Sequence, residues 1–372
     1  MRNQMKLADA DAHQVEPDDL WEKYIDPRFK AAAPRIGKSP GGKNSWMVEG
    51  ETFILESGHY LISSPELQQK ERESMQRNFK RLLESGCSAQ ARLLDMDDHG
   101  VDVQILYPTR GGQMIGRDFR DPDLLDACCR AYNDWSAEYC QADSRRLRWA
   151  AMIPLQDVGR AIKEAERAAR NGTVTIYVRP NPVAGRNLFD PDNDPLWETI
   201  VKLNLPVSIH DSGSPRQPSY GSRMHNHTAG HILAHPFEAM GTMAGLIYSG
   251  VVERFPTLTF VHVEADAGWA PYWVQRMEQH WRYSGTAEAP EMKRSPTEYF
   301  KRNFYVACRA DEPTLPAAVA LLGDGNFVWN TDYPHPDGTW ETALEDIERQ
   351  PIPIQSKRRI MWDNAARAYH LE

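Results

Sequence analysis

Carboxylates and imidazoles recur in this chain at spacings that suit metal chemistry. Asp9, Asp11 and His13 alternate in ADADAH, and His210 ends the run PVSIH. His262 and Glu264 stand two apart in FVHVEAD, and Asp332 precedes His335 in NTDYPHP. Alternation with period two puts side chains on one face of an extended strand, so Asp9, Asp11 and His13 are expected to face together, as are His262 and Glu264. In HNHTAGHILAHPFEAM, His227, His231 and His235 follow at i, i+4 and i+8, one face of a helix. Two imidazoles one helical turn apart are able to grip a metal.

Buried carboxylates and imidazoles converging without partners would be costly. A divalent cation removes that cost, because it compensates the charge and accepts both donor types. The candidates are Asp11, His13, His210, His231, His235, His262, Glu264 and Asp332. That is more than one ion of about four to six ligands uses. Either two ions sit close together, or several of these groups are acid–base and supporting residues. Nitrogen and oxygen donors alone suit zinc, iron, manganese or cobalt.

The elements that must position them follow from hydrophobic patterning. Strands are expected at Lys6–Ala12, Val103–Tyr107, Trp149–Ile153, Val174–Val178, Val207–His210, Leu258–Val263, Asn303–Ala307 and Phe327–Asn330. Helical patterns alternate with them: Pro122–Ala142, Asp157–Arg170, Asp194–Leu203, His227–Ser249, Gly268–Trp281, Pro313–Leu322 and Thr339–Glu348, with Ser356–His370 closing the chain. Strands alternating with helices imply parallel pairing, and eight such strands point to a (β/α)8 TIM barrel. An open doubly wound sheet would carry a Gly-rich phosphate turn after an early strand, and none is present. Residues 17–99 form a long insertion between the first strand and its helix. Gly/Pro-rich near Ser39–Lys43, with a charged helix from Pro65 to about Glu84, it is expected to fold over the barrel mouth within one domain spanning 1–372.

Composition agrees. The 372 residues carry 43 basic and 52 acidic side chains, a net charge of −9, which argues against nucleic acid or an anionic membrane as partner. No apolar run reaches the roughly 18 residues a membrane span needs, and the first residues lack a signal-peptide core. Five cysteines without a C-x-x-C pair indicate neither a disulfide framework nor a sulfur-ligated zinc site, and suit a reducing cytoplasm.

Nearly end to end, the chain resembles the amidohydrolase-2 group of TIM-barrel metalloenzymes, which includes aminocarboxymuconate-semialdehyde and resorcylate decarboxylases. The resemblance rests on DADAHQVEPDDLWEKYIDPRF, AYNDWSAEYCQADSRRLRWAAMIPLQD, ERFPTLTF, EADAGWAPYWVQRMEQHW and NTDYPHPDG. It implies metal ligands from an acidic-or-His-x-His pair on the first strand, a His on the fifth and an Asp on the eighth. Here those are Asp11, His13, His210 and Asp332. Two departures stand out. The decarboxylases carry a proton-transferring His after the sixth strand in a GH-x-G-E context, where this chain has Glu264, with His262 two residues earlier. Binuclear hydrolytic members end the fourth strand in a carboxylated lysine, whereas TVTIYVRP has none.

HI-x-AHPFE, EADAGW-x-PYW and TDYPH resemble a branch associated with nonheme di-iron oxygenation, which contains the diterpenoid hydroxylase of platensimycin and platencin biosynthesis. That resemblance implies a di-iron monooxygenase hydroxylating an unactivated C–H bond with dioxygen. One iron would lie at Asp11, His13, His210 and Asp332, and a second at His231, His235 and Glu264. Glu264, His262 and His335 would be the catalytic groups. A small substrate linked to coenzyme A is expected, its phosphates met by Arg110, Arg117 and Arg120, with a homodimer as default assembly. The alternative expectation is a mononuclear zinc- or manganese-dependent hydrolase or non-oxidative decarboxylase, with His262 or Glu264 as general acid or base.

Overall fold

Short β-branched and aromatic runs, each followed by a helical return, build the frame of the molecule. The computed structural model describes residues 5–38, 42, 44–55, 65–211, 219–225, 227–336 and 338–372. Its strands are β1 (Ala8–Gln14), β2 (Arg35–Lys38), β3 (Asn44–Val48), β4 (Glu51–Leu55), β5 (Val103–Pro108), β6 (Leu147–Met152), β7 (Thr175–Val178), β8 (Val207–Ile209), β9 (Phe260–His262), β10 (Phe304–Arg309) and β11 (Phe327–Asn330). Eight of them pair in the order β1-β5-β6-β7-β8-β9-β10-β11, every pairing parallel. The edges meet: Asp332 N–H donates to the Asp11 carbonyl at 2.9 Å, and His13 N–H to the Tyr333 carbonyl at 2.6 Å. The sheet therefore closes into the expected (β/α)8 barrel.

Strand faces divide the core in two. Val103, Ile105, Tyr107, Val261, Val263, Tyr305, Ala307 and Val328 share one cluster with Ala365 and Tyr369 of the closing helix. The alternate residues Leu106, Ile176, Val178, Ile209, Phe260, Phe304, Val306 and Phe327 pack with helix residues such as Trp197, Leu246 and Leu315. Tyr369 reaches into the barrel, its hydroxyl 3.0 Å from that of Tyr107, which donates to Ser208 Oγ at 2.7 Å. This layer lies two residues before His210, so it forms a floor under the strand ends.

Two local features depart from simple alternation. β1 shifts register against β5 between Asp9 and Ala12, a bulge that inserts a residue into the pleat. Ala8 and Ala10 join the first cluster while Ala12 joins the second. The expectation that Asp9 faces with Asp11 and His13 is thereby corrected. β9 ends at His262, and Glu264 beyond it has φ +55°, so His262 and Glu264 do not share a strand face either.

The insertion holds a sheet the sequence reading lacked. β2, β3 and β4 pair antiparallel in that order. Arg117, after β5, ties this sheet down with Nη2 3.1 Å from Glu49 and Nη1 3.2 Å from Glu51. Glu49 also accepts from the Arg120 and Asp121 amides, and Arg110 lies over the Trp46 ring at 5.1 Å while pairing with Asp18 at 2.7 Å. The charged helix appears as Pro65–Asn78 and Lys80–Glu84, followed by Ala89–His99, which Ser88 caps. Among the described residues, no helix is long and apolar enough to cross a membrane.

Candidate metal centre

Past the bulge, β1 delivers Asp11 and His13 to the mouth, and β8 delivers His210 one residue past its end. Asp332 follows β11 with φ +58°. A non-glycine residue in that region is strained, and such residues persist where surrounding structure demands them, often at functional sites. Here the demand is visible, since the Asp332 amide is held by the Asp11 carbonyl.

Four side chains converge. His13 Nε2 lies 3.2 Å from His210 Nε2, 3.3 Å from Asp332 Oδ1 and 3.6 Å from Asp11 Oδ1. His210 Nε2 is 3.8 Å from the same Asp11 oxygen. Each imidazole has its other nitrogen against a backbone carbonyl, His13 Nδ1 on Pro108 at 3.2 Å and His210 Nδ1 on Asp211. A carbonyl only accepts, so both Nδ1 atoms carry the proton and both Nε2 lone pairs aim at each other. Two facing lone pairs beside two carboxylates repel unless a cation lies between them. Backbone-oriented imidazoles of this kind are the usual support of metal-ligating histidines.

The charge balance agrees. Burial, then the charges of Asp332 and Asp9, push the Asp11 carboxyl well above its ordinary range. Burial, then His335 and His210, hold His13 well below the usual imidazole value, and burial brings His210 down to about 4. Neutral imidazoles beside carboxylates in conflict form a donor set that fits a divalent ion.

A second group adjoins the first. Glu264 Oε2 is 3.1 Å from His210 Nε2 and 3.6 Å from His235 Nδ1, and Oε1 is 4.0 Å from His231 Nε2. His231 and His235 project from the helix His227–Tyr248 as their spacing predicts, His231 partly exposed toward solvent and His235 buried. The side chain of His227 lies outside the described residues. One ligand atom from each of His231, His235 and Glu264 lies within 4.8 Å of the others.

His335 sits beside the first group. Its ring stacks on His13 at 4.1 Å between centroids, Nδ1 is 2.8 Å from Asp332 Oδ1, and Nε2 is 3.2 Å from Thr109 Oγ1. Thr109, at the end of β5, was not anticipated from sequence. His262 is corrected as a catalytic candidate. Its ring stacks on Phe304 and meets Trp269 edge-on, both at 5.9 Å, in the layer between barrel and helices. Period-two alternation did point to that outward face, once β9 is seen to carry Val261 and Val263 inward.

The arginines expected to meet coenzyme A phosphates are committed elsewhere. Arg110 and Arg117 fasten the three-stranded sheet and the β1 loop through the Glu16 carbonyl, Asp18, Glu49 and Glu51, while the exposed Arg120 side chain reaches the Glu49 carbonyl.

A closed parallel barrel whose strand ends gather imidazoles and carboxylates on one point defines a metal-dependent TIM-barrel enzyme. The chain belongs to the Amidohydrolase family, whose model matches residues 11–371. It is 26% identical over 304 residues to a gamma-resorcylate decarboxylase of Polaromonas sp. (strain JS666 / ATCC BAA-500), covering 76% of this chain and 89% of that one. It is 27% identical over 267 residues to a 2-amino-3-carboxymuconate-6-semialdehyde decarboxylase of Dictyostelium discoideum, covering 70% of each. Among solved structures, an amidohydrolase from Mycobacterium avium subsp. paratuberculosis K-10 superposes with a TM-score of 0.77 at 21% identity, covering 98% of this chain and 99% of that one. A dihydroxybenzoic acid decarboxylase from Polaromonas sp. JS666, solved with manganese and 2-nitroresorcinol, gives 0.66 at 19% identity over 99% and 98%.

These relatives overturn the oxygenase expectation. They are non-oxidative decarboxylases, so the di-iron monooxygenase reading, its oxidoreductase chemistry and its dioxygen co-substrate are withdrawn. The departures in the sixth-strand segment had favoured that branch, but a changed acid–base residue does not by itself change the reaction class.

Proposed function

We propose that this protein is a divalent-metal-dependent, non-oxidative decarboxylase of a small carboxylic acid, with Asp11, His13, His210 and Asp332 as ligands of one manganese or zinc ion. The observation that carries the reading is the opposition of the two Nε2 lone pairs beside two buried carboxylates. The decarboxylase relatives and the manganese of one structural neighbour supply the reaction class and the metal. When bound, such an ion supplies positive charge that polarises a substrate oxygen.

The chain's own groups then account for the proton. Decarboxylation breaks the C–C bond to the carboxylate, releases CO2 and leaves an electron pair on carbon that must take up one proton. Glu264, poised between His210 and His235 where the decarboxylases place a histidine, is the group we assign to deliver it. His335 holds the Asp332 carboxylate through Nδ1, backed by Thr109, and is a positioning residue.

A second reading of the adjoining group has its own support. The donors of His231, His235 and Glu264 lie close enough to hold a further cation beside the first. Metal analysis of the purified chain distinguishes the two, one ion per chain supporting Glu264 as a free acid and two supporting a shared site.

The reaction is tested under argon with manganese-loaded protein and a panel of hydroxybenzoates and unsaturated carboxylic acids. Release of CO2 with one solvent deuterium in the product is the expected result. Turnover that requires dioxygen, or hydrolysis of amides or lactones with no CO2 from any acid, overturns it.

A further inference from the structure

Behind the strands that carry the proposed ligands lies a buried polar network for which the proposed chemistry has no use. Asp9 is fully buried, and both of its oxygens are used. Oδ1 accepts the Thr331 amide at 3.0 Å and the Asp11 amide at 3.3 Å, and Oδ2 accepts the Thr331 hydroxyl at 2.6 Å and Gln104 Nε2 at 3.1 Å. The Gln104 amide oxygen in turn accepts from Arg92 Nη1 at 2.9 Å. Arg92 is itself buried, donates from Nη2 to the His13 carbonyl, and lies over the Tyr333 ring at 4.6 Å. Thr331 Oγ1 also accepts the Tyr333 amide at 3.1 Å, closing the loop around Asp332.

Among the described residues, no carboxylate lies within ion-pair distance of Arg92. A guanidinium and a carboxylate are thus both buried and linked only through one glutamine amide. Burying two charges this way is costly unless every hydrogen bond is well made, and such networks are more often tied to fixing one geometry than to stability. The backbone groups they hold belong to Asp11, His13, Thr331 and Tyr333. Those residues are, or directly flank, three of the four ligands assigned above.

We propose that Arg92, Gln104, Asp9 and Thr331 are positioning residues of the metal centre. The network pins the first and last barrel strands to each other at the seam, so that Asp11 and His13 of β1 stand at a fixed separation from Asp332 beyond β11 before any ion arrives. It also accounts for the bulge in β1. Turning Asp9 away from Asp11 and His13 is what lets one carboxylate gather amides from both strands.

The inference rests on the metal-centre reading and is tested by Mn2+ affinity, followed by the loss of the free-ion EPR signal on titration of metal-stripped protein. Asp9→Asn, which places donors where amides already donate, and Thr331→Val, which removes the hydroxyl, are each expected to weaken Mn2+ binding at least about tenfold. Thr331→Ser keeps the hydroxyl and is expected to bind within about twofold of the parent. Leu246→Ala, in the outer core, controls for stability loss alone and is expected to lower Tm with affinity unchanged. Should Asp9→Asn fail to fold, the Thr331→Val and Thr331→Ser pair decides. Folded Asp9→Asn or Thr331→Val protein with parental affinity overturns the positioning role while leaving the metal centre intact, as does a Leu246→Ala loss equal to theirs. A parent chain that takes up neither Mn2+ nor Zn2+ overturns both.

Discussion

At the scale of single residues, the deciding choice is the carboxylate at position 264. A histidine there would be a proton carrier near neutral pH, whereas a glutamate must be kept protonated or share its proton with a neighbour. Glu264 lies 3.1 Å from the proposed ligand His210 and 3.6 Å from His235 Nδ1, so His235 is the imidazole placed to share a proton with it. Glu264→Gln keeps the shape and removes the ionisable carboxyl group. It is expected to lower kcat by about 10²–10⁴ with little change in KM, while the ion at the first group is retained. Parallel metal analysis and steady-state kinetics check this, and an unchanged kcat removes Glu264 from the chemistry. The variant also separates the readings of the adjoining group, because loss of a second ion identifies the carboxylate as a ligand.

At the scale of elements, the three-stranded sheet packs Trp46, Val48 and Phe53 into the cluster around Trp21 and is fastened at its turn by a few ion pairs. Glu49 is buried, accepts Arg117 and two backbone amides, and sits at a residue with φ +54°. Glu49→Ala leaves the buried Arg117 with only Glu51, and removing one member of a buried pair costs about 3–5 kcal/mol. The expected result is faster hydrogen exchange confined to residues 44–55, with Mn2+ affinity preserved. Uniform loosening of the barrel would show instead that the sheet supports the whole fold. This element also marks where the sequence stops being informative. The barrel strands were legible because burial on both faces writes dense apolar runs, and all eight begin and end within two residues of expectation. β2–β4 were not, since Arg35–Lys38 offers a single apolar residue, Ile36, and the short apolar runs of Asn44–Val48 and Glu51–Leu55 lie inside a stretch that reads as polar and Gly/Pro-rich. The convergence of Asp11, His13, His210 and Asp332 was readable from residue type at strand ends. Asp9 was misplaced because period-two alternation does not announce a bulge, and His262 was grouped with Glu264 because the strand ends at His262, one residue before the expected Val263. Thr109, Arg92 and Gln104 carry no pattern at all, and only the folded chain brings Thr109 to His335, Gln104 to Asp9 and Arg92 to the His13 carbonyl.

For the whole molecule, the burial that makes the site also makes the fold sensitive to acid, and His262 shows this apart from any metal. Its ring is fully buried against Phe304 and Trp269, and neither nitrogen has a hydrogen-bond partner among the described residues. Burial alone brings its pKa down to about 3, against about 6.5 in an unfolded chain. The unfolded state therefore binds a proton that the folded state refuses. The stability at stake is fully present above about pH 6.5 and is lost as pH falls toward 3, at about 1.4 kcal/mol per pH unit. By pH 5 that is about 2 kcal/mol, a sizeable part of the stability of a natural domain. His262→Leu removes the titration and fills the site with an apolar side chain suited to its neighbours. Near pH 7 the variant is expected to match or exceed the parent, because an unsatisfied buried polar ring is itself unfavourable. Urea unfolding of both proteins at pH 7 and pH 5 is the measurement. The parent should lose about 2 kcal/mol more than the variant over that interval, and parallel losses would show that the acid sensitivity does not come from His262.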